Sequence, residues 1–124
     1  MKPIYYLLLL VLIGCKKELT LQDQIIGRWE LRTRFGGFGT TTSYPAGNGN
    51  IIEFTNTTYL RYNNGQLNES SSYTLADTIW HGRKGGVVHY GTSIIPSFVI
   101  INNSILSIDV MSVDAGGDEY QKLR

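Results

Sequence analysis

Histidines, serines and clustered acidic residues form most catalytic sites, and this chain arranges them poorly for that purpose. His81 and His89 are its only histidines, and they have no evident third partner for a zinc site. Gly91-Thr92-Ser93 lacks the second glycine of a nucleophile elbow. The acidic residues from 114 to 119 do not have calcium-loop spacing. We therefore expect no enzyme, no catalytic residue, no metal site and no cofactor.

The one cysteine, Cys15, is placed for a different reaction. It directly follows Leu12-Ile13-Gly14, and before it come the basic Lys2 and an uncharged run from Ile4 to Ile13. This order of basic, apolar and small residues predicts a secretory signal. A small residue lets a peptidase close on the backbone, and the thiolate is the nucleophile that takes up diacylglycerol. The motif, typical of bacterial lipoproteins, predicts cleavage between Gly14 and Cys15 and lipidation of Cys15.

The alternatives for this segment are a membrane span and an ordinary cleaved signal. Ten apolar residues are too few to cross a hydrocarbon core of about 30 Å as a helix, whereas a chance cysteine after an ordinary signal stays open. Two or more acyl chains, diacylglycerol with an added palmitate, anchor a protein stably. We expect the bilayer as a partner through acylated Cys15. Because Lys16-Lys17-Glu18 faintly resembles a Bacteroidetes surface-export signal, we expect the bacterial cell envelope, at the outer membrane.

Composition constrains the part of the chain beyond the signal. We predict a signal peptide over 1–14, a lipidated tether over 15–24 and one domain over 25–124. Of the 11 basic residues only Lys2 leaves with the signal, so ten basic residues balance the ten acidic ones. A balanced surface gives no electrostatic reason to expect a nucleic acid partner. With its one cysteine acylated, the domain has no disulfide and depends on burial for its stability.

From Ile25 onward the chain alternates short β-rich runs with Gly, Asn, Asp and Ser clusters, which predicts an all-β fold. The run 27–34 places Trp29, Leu31 and Thr33 on one face and Arg28, Glu30, Arg32 and Arg34 on the other. Further strands are predicted over 50–55, 57–62, 68–75, 97–101, 105–111 and 118–123. Asn63-Asn64-Gly65 predicts a hairpin turn. The segments 78–81 and 87–90 are either two arms of a hairpin around Gly82–Gly86 or one strand after a long loop, which gives eight or nine strands.

A family resemblance rests on the first strand. Gly27-Arg28-Trp29 resembles the Gly-x-Trp that opens lipocalins, and with the lipoprotein motif and a final strand carrying a tyrosine and a basic residue, residues 25–124 resemble small lipocalin-like lipoproteins of Bacteroidetes. The resemblance implies a single antiparallel up-and-down β-barrel of about eight strands. It also implies that Gly27 and Trp29 lie at the closed base beneath a basic residue of the last strand, Arg124 or Lys122, in a cation–π contact.

Barrel closure is physically reasonable, because it removes the two unpaired edges of a long sheet. Eight strands enclose a space that side chains fill or that holds one small ligand, so a filled interior and a shallow pocket near one end both stay open. The predicted inward set is bulky: Trp29, Leu31, Ile52, Phe54, Tyr73, Phe98, Ile100, Leu106, Ile108, Val110 and Tyr120.

The long connection from Gly36 to Gly49 is the best candidate for a binding loop. By strand parity it shares one end of the barrel with the Asn63-Asn64-Gly65 turn and, with eight strands, with the Asp114–Gly117 turn. Long loops in compact domains are usually functional or disordered. We predict an aromatic ligand rim, with an unstructured glycine-rich loop as the alternative. The rim residues are Phe35, Phe38, Tyr44 and Tyr62.

Two functions are compatible with a lipid-anchored envelope protein of this kind. The first is a non-enzymatic module that binds a small apolar ligand or a glycan, which the family resemblance favours. The second is a filled barrel that contacts another envelope protein as an inhibitor or assembly partner. A cavity at the Gly36–Gly49 end would favour the first function.

Overall fold

The structure is a computed structural model that describes residue 14, residues 18–112 and residues 116–124. Cys15, Asp114 and the signal segment 1–13 lie outside the described residues. A short helix and nine strands follow in chain order. They are α1 (Leu21–Ile25), β1 (Gly27–Phe35), β2 (Thr41–Ser43), β3 (Ile51–Phe54), β4 (Thr58–Asn63), β5 (Gln66–Trp80), β6 (Arg83–Tyr90), β7 (Ser97–Asn102), β8 (Ile105–Val110) and β9 (Gly117–Lys122).

The strands form one antiparallel sheet that closes on itself. Neighbouring strands pair in sequence order from β3 to β9, and β1 pairs with both β3 and β9. β1 and β3–β9 therefore make a closed barrel of eight strands, and the predicted all-β, up-and-down barrel is confirmed. The short β2 pairs with the second half of β1, beyond the residues that pair with β3. This short strand was not predicted from the sequence, and it brings the sheet to nine strands while the barrel itself has eight.

Two-residue turns connect three of the hairpins, β4–β5, β5–β6 and β7–β8. Asn64 and Gly65 join β4 to β5 with φ values of 51° and 80°, the left-handed pair of a type I′ turn, as the sequence predicted. His81 and Gly82 join β5 to β6 in the same way, with φ values of 49° and 75°. The open question over 78–90 is therefore settled as a hairpin, and its first arm is the end of the 15-residue β5.

The barrel interior contains most of the predicted inward residues. Trp29, Leu31, Ile52, Phe54, Tyr73, Leu106 and Tyr120 are all buried in one cluster, with Ile108 packed against it. Tyr59 and Val88 join the same cluster. The rings of Phe54 and Tyr73 meet edge to face with their centroids 5.0 Å apart. Period-two alternation thus located much of the core.

The prediction that Phe98 and Ile100 point inward is wrong. Their neighbours Val99 and Ile101 pack in the interior cluster instead. Phe98 is fully buried on the outer face, where the ring of Trp80 lies 5.2 Å away and the guanidinium of Arg83 lies 5.3 Å from the ring centre. The reason is the length of β5, whose end carries Trp80 across the outside of β7.

Glu30 lies on the outer face, as the alternation of 27–34 predicted, but it is buried there. Glu30 is only 4% exposed, because the connection between β2 and β3 crosses over it. Its Oε1 accepts a hydrogen bond from the backbone N–H of Gly47 at 3.0 Å and lies 3.1 Å from Nη2 of Arg32. Asn48 completes this attachment by donating to the carbonyl of Leu31 at 2.7 Å. The second half of the long loop is thereby fixed to β1.

Candidate functional site

The two ends of the barrel differ, and α1 covers one of them. Thr20 caps this helix in a reciprocal capping box with Asp23, and Ile25 at its end is fully buried. The indole Nε1 of Trp29 donates to the carbonyl of Ile25 at 2.8 Å. Trp29 itself is 1% exposed. This end is closed, and Gly27 and Trp29 lie here as the sequence predicted.

Lys122 is the basic residue that lies over Trp29. Its Nζ is 4.5 Å from the ring centroid and donates to the carbonyl of Ile26 at 2.6 Å. Burial lowers the pKa of Lys122, while the carbonyl and the ring face favour its charged form. Arg124, the other residue that the sequence allowed for this position, is exposed at the chain end.

The contact between Lys122 and Trp29 requires a glycine at position 27. Its φ is +133°, and a Cβ at this position would lie 2.7 Å from Nζ of Lys122. A side chain would therefore displace the amine from the indole. Gly27, Trp29 and Lys122 therefore depend on one another: the absence of a side chain at Gly27 leaves room for the Lys122 amine over the Trp29 ring.

The opposite end is open and holds a cavity of about 380 Å³. This volume is near the lower end of the range for ligand pockets, ~300–1,000 Å³. The floor of the cavity is aromatic: the rings of Tyr59 and Tyr90 lie 4.5 Å apart, and Tyr59 in turn packs on Phe54 at 5.3 Å. The interior is thus filled below this floor and open above it, which corresponds to the shallow pocket that the sequence left as one alternative.

The loops at the open end meet as strand parity predicted. The backbone N–H of Gly65 donates to the carbonyl of Gly49 at 3.0 Å, which joins the β4–β5 turn to the long connection. Gly116 and Gly117 line the cavity at the same end. The remaining part of that predicted turn, Asp114 and Ala115, lies outside the described residues.

A β-bulge brings Arg34 into the mouth of the cavity. The pairing of β1 with β9 shifts between Leu31 and Thr33, so that Arg34 faces Asp118, on the interior side that Tyr120 also occupies. The predicted alternation, with Thr33 inward and Arg34 outward, fails at this bulge. Arg34 donates from Nε and Nη2 to the two carboxylate oxygens of Asp118, at 2.9 and 3.1 Å. The hydrogen bond from Arg34 to Asp118 raises the pKa of Arg34.

A second arginine, Arg61, reaches the cavity from β4. Its position two residues after the buried Tyr59 puts it on the interior face, and its Nε donates to the Tyr59 hydroxyl at 3.0 Å. The nearest carboxylate is that of Glu69, with 4.0 Å between Nε and Oε2. Arg61 and Arg34 also line a smaller cavity of about 100 Å³, together with Tyr44 and Asn50.

Three tyrosines complete the lining: Tyr59 and Tyr120 are buried and Tyr90 is partly buried. Burial raises the pKa of Tyr59, Tyr90 and Tyr120, so their hydroxyls remain protonated at neutral pH. The hydroxyl of Tyr120 donates to Asp118 at 3.3 Å. A neutral phenol both donates and accepts hydrogen bonds, so the lining offers rings, hydroxyls and guanidinium groups side by side.

The four residues of the predicted rim do not converge on one point. Phe35 lines the larger cavity, and Tyr44 and Tyr62 both line the smaller one. Phe38 is fully exposed at the tip of the loop and lines neither cavity. The ring of Tyr62 lies beneath the guanidinium of Arg28 at 5.7 Å, on the outside of the barrel.

The histidines stay apart from the mouth. His81 occupies the β5–β6 turn at the closed end, with its ring 4.4 Å from the Trp80 ring, and His89 pairs with Thr74 on β5. Over 18–112 and 116–124, no group of three or more His, Cys, Asp or Glu side chains is placed to hold a metal ion. No helix in these ranges is long and apolar enough to cross a membrane.

Sequence reasoning missed Arg34, Arg61 and Asp118 as residues of one site. Arg61 could have been found, because a residue two positions from a buried tyrosine on a strand shares its face. Arg34 could not, since nothing in the alternation of 27–34 marks the bulge.

The fold defines a closed eight-stranded antiparallel barrel with one capped and one open end. Comparison with known proteins found no matching family model, no similar curated protein and no similar solved structure. The resemblance to small lipocalin-like lipoproteins therefore stays a prediction from the sequence.

Proposed function

We propose that this protein is a lipid-anchored module of the bacterial envelope that binds a small saccharide at the open end of its barrel. The observation that carries the proposal is the cavity of about 380 Å³, lined by Tyr59, Tyr90, Tyr120 and two arginines. Sugars present hydroxyls at their edges and C–H groups on their faces. The guanidinium groups of arginine and the hydroxyls of tyrosine can hydrogen-bond to the sugar edges. Tyrosine rings can pack against the sugar faces.

The polar lining favours a saccharide over an apolar ligand. An alkyl chain would cover Arg61, Arg34 and Asp118 without offering them hydrogen bonds, and a buried polar group that loses its partner costs about 1–3 kcal/mol. The space below the cavity is also occupied by Phe54 and Tyr73, which leaves no channel for a chain to enter the core. A ligand can therefore enter the barrel only as far as the floor formed by Tyr59 and Tyr90.

The proposed anchor and the proposed site lie at opposite ends. Cys15 precedes the helix cap Thr20 by five residues, which span at most roughly 18 Å, and α1 covers the closed end. A diacylated Cys15 would hold the closed end near the bilayer. The cavity would then face away from the membrane, where a soluble or polymeric saccharide can reach it.

Anchoring is tested by fractionating membranes from cells that produce the full chain. We expect the native protein in the membrane fraction, with an intact mass that shows loss of 1–14 and added acyl chains. The variant Cys15→Ser should move to the soluble fraction. A native protein with an unmodified Cys15 thiol would contradict the anchor.

Saccharide binding is tested with the detergent-extracted full chain on an array of neutral and acidic glycans. Val110 lines the cavity and is 39% exposed, so Val110→Trp should fill the mouth and abolish binding. Ile105 lies at the other end of β8 with 43% exposure, so Ile105→Trp is the matched control and should bind normally. Absence of any glycan signal, or binding that survives Val110→Trp, would overturn the proposal.

A second candidate is an envelope protein as partner. Phe38, Ile94 and Ile95 are exposed on loops at the open end, and such apolar side chains are common at protein interfaces. Crosslinking in intact cells, followed by purification of the full chain, should then capture one defined protein. The capture should be lost in Phe38→Ser/Ile94→Ser and retained in Val110→Trp.

A further inference from the structure

The two arginines inside the barrel mouth differ in how far their hydrogen-bonding capacity is used. Asp118 engages Nε and Nη2 of Arg34 through two parallel hydrogen bonds, so the opposite charges of this pair offset each other. Arg61 uses its Nε on the Tyr59 hydroxyl. Over 18–112 and 116–124, no acceptor bonds to either Nη of Arg61. Arg61 thus brings an unused pair of donors to the cavity.

Glu69 is a weak counterion for Arg61. The contact is 4.0 Å long, it involves Nε only, and both side chains are nearly half exposed, at 46% and 45%. Exposed pairs of this kind contribute ~0–1 kcal/mol. An anion that meets the two Nη atoms at hydrogen-bond distance would interact more strongly with Arg61 than Glu69 does.

We propose that the ligand carries a carboxylate, which the two Nη atoms of Arg61 bind, and that the saccharide is therefore acidic, with a uronate unit. The inference rests on the proposed saccharide function and adds the charge of the ligand. One guanidinium whose only counterion is weak matches a single negative charge, and its planar fork matches the two oxygens of a carboxylate. The Tyr120 hydroxyl donates to Asp118 and can still accept a hydrogen bond from a ring hydroxyl of the sugar, and the Tyr90 hydroxyl lines the same cavity.

A matched set of probes separates the elements of this proposal. The full chain in detergent micelles is titrated by NMR with glucose, galactose and mannose, with the three corresponding uronates, with their 6-phosphates, and with acetate. We expect uronates to bind about ten-fold tighter than the parent sugars, as a charge-assisted bidentate contact would give. Added salt should weaken uronate binding and leave the binding of neutral sugars unchanged.

Variants test whether the preference for uronates over neutral sugars depends on Arg61. Arg61→Gln should remove the preference for uronates and keep the affinity for neutral sugars, and Arg61→Lys should keep part of the preference. Glu69→Gln should strengthen uronate binding by a few-fold, because it removes the competing carboxylate. Arg28 is the matched control, since it has a tyrosine and a glutamate beside it on the outside of the barrel, and Arg28→Gln should change nothing.

Each contrary result has a distinct meaning. Equal binding of uronates and neutral sugars overturns the carboxylate inference and leaves the saccharide function standing. Binding of no sugar in the panel overturns both. If acetate binds as tightly as the uronates, the site binds anions in general. If the sugar 6-phosphates bind more tightly than the uronates, the ligand carries a phosphate. Either result contradicts the proposal of a uronate ligand. A preference that persists in a folded Arg61→Gln protein removes Arg61 from recognition.

Discussion

Arg34 and Asp118 face each other across the seam where β1 and β9 close the barrel, and they are joined by two hydrogen bonds of 2.9 and 3.1 Å. The pair exists because a bulge after Leu31 turns Arg34 toward the interior. The same local irregularity therefore contributes both to closure of the barrel and to the polar lining of its mouth.

The seam pair is expected to be modestly stabilising. Arg34 is half exposed, so solvent screens it, and a coupling free energy of about 0.5–1 kcal/mol is expected from its geometry. The measurement is a double-mutant cycle of Arg34→Gln and Asp118→Asn in urea unfolding. The coupling should shrink in high salt. A zero coupling at low salt would show that backbone pairing alone holds the seam.

Gly27→Ala is expected to be among the most damaging small substitutions in the chain. It adds a Cβ 2.7 Å from Nζ of Lys122 at a residue with φ of +133°, so steric conflict and backbone strain add up to about 2–3 kcal/mol of lost stability. Gly82→Ala is the control: its φ is +75°, but nothing lies within 4 Å, so about 1 kcal/mol is expected.

The double variant Gly27→Ala/Lys122→Ala separates the two causes. Shortening the lysine removes the steric conflict, so Gly27→Ala should cost less in that background than in the native chain. Equal costs in both backgrounds would assign the effect to the backbone conformation alone. Thermal unfolding reports the outcome.

The fold was more predictable than the site, and β1 and β7 show why. In β1 the alternation of Trp29 and Leu31 with charged residues marks one buried face, and that face is the core. In β7 the run Phe98–Ile101 is apolar at every position, so alternation cannot choose a face. Phe98 points outward because Trp80, from the end of β5, covers it on the outside of the barrel.

Two residues that line the mouth of the cavity could not be predicted from the sequence, because they too depend on contacts with distant parts of the chain. Arg34 belongs to the mouth through a bulge, and Asp118 through its pairing with Arg34. Both depend on contacts between strands that are more than 80 residues apart along the chain. Local pattern determines which residues are strands, whereas long-range register determines which charged side chains share a cavity.

Glu30 is expected to fix the long loop to the barrel. Its carboxylate accepts the Gly47 N–H at 3.0 Å and pairs with Arg32, so Glu30→Ala should cost about 1–3 kcal/mol of local or global stability. Hydrogen exchange at the Gly47 amide is the direct measurement and should accelerate strongly. Arg32→Ala should have a smaller effect on this amide, because it leaves the acceptor in place. Unchanged exchange in Glu30→Ala would show that Asn48 suffices to hold the loop.

Alkaline pH is expected to destabilise the barrel through its tyrosines. Burial raises the pKa of Tyr90 and Tyr120 above the value near 10 of an unfolded tyrosine. A raised folded pKa means that the stabilisation is complete below pH 10 and is lost as the pH rises above it, because only the unfolded state releases these protons. Each tyrosine contributes a fall of about 1.4 kcal/mol per pH unit in that window. Tyr120→Phe should make the decline of the urea midpoint above pH 10 shallower, and Tyr90→Phe/Tyr120→Phe should make it shallower still. A decline as steep in the double variant as in the native chain would show that other groups, and not these two phenols, control the alkaline transition.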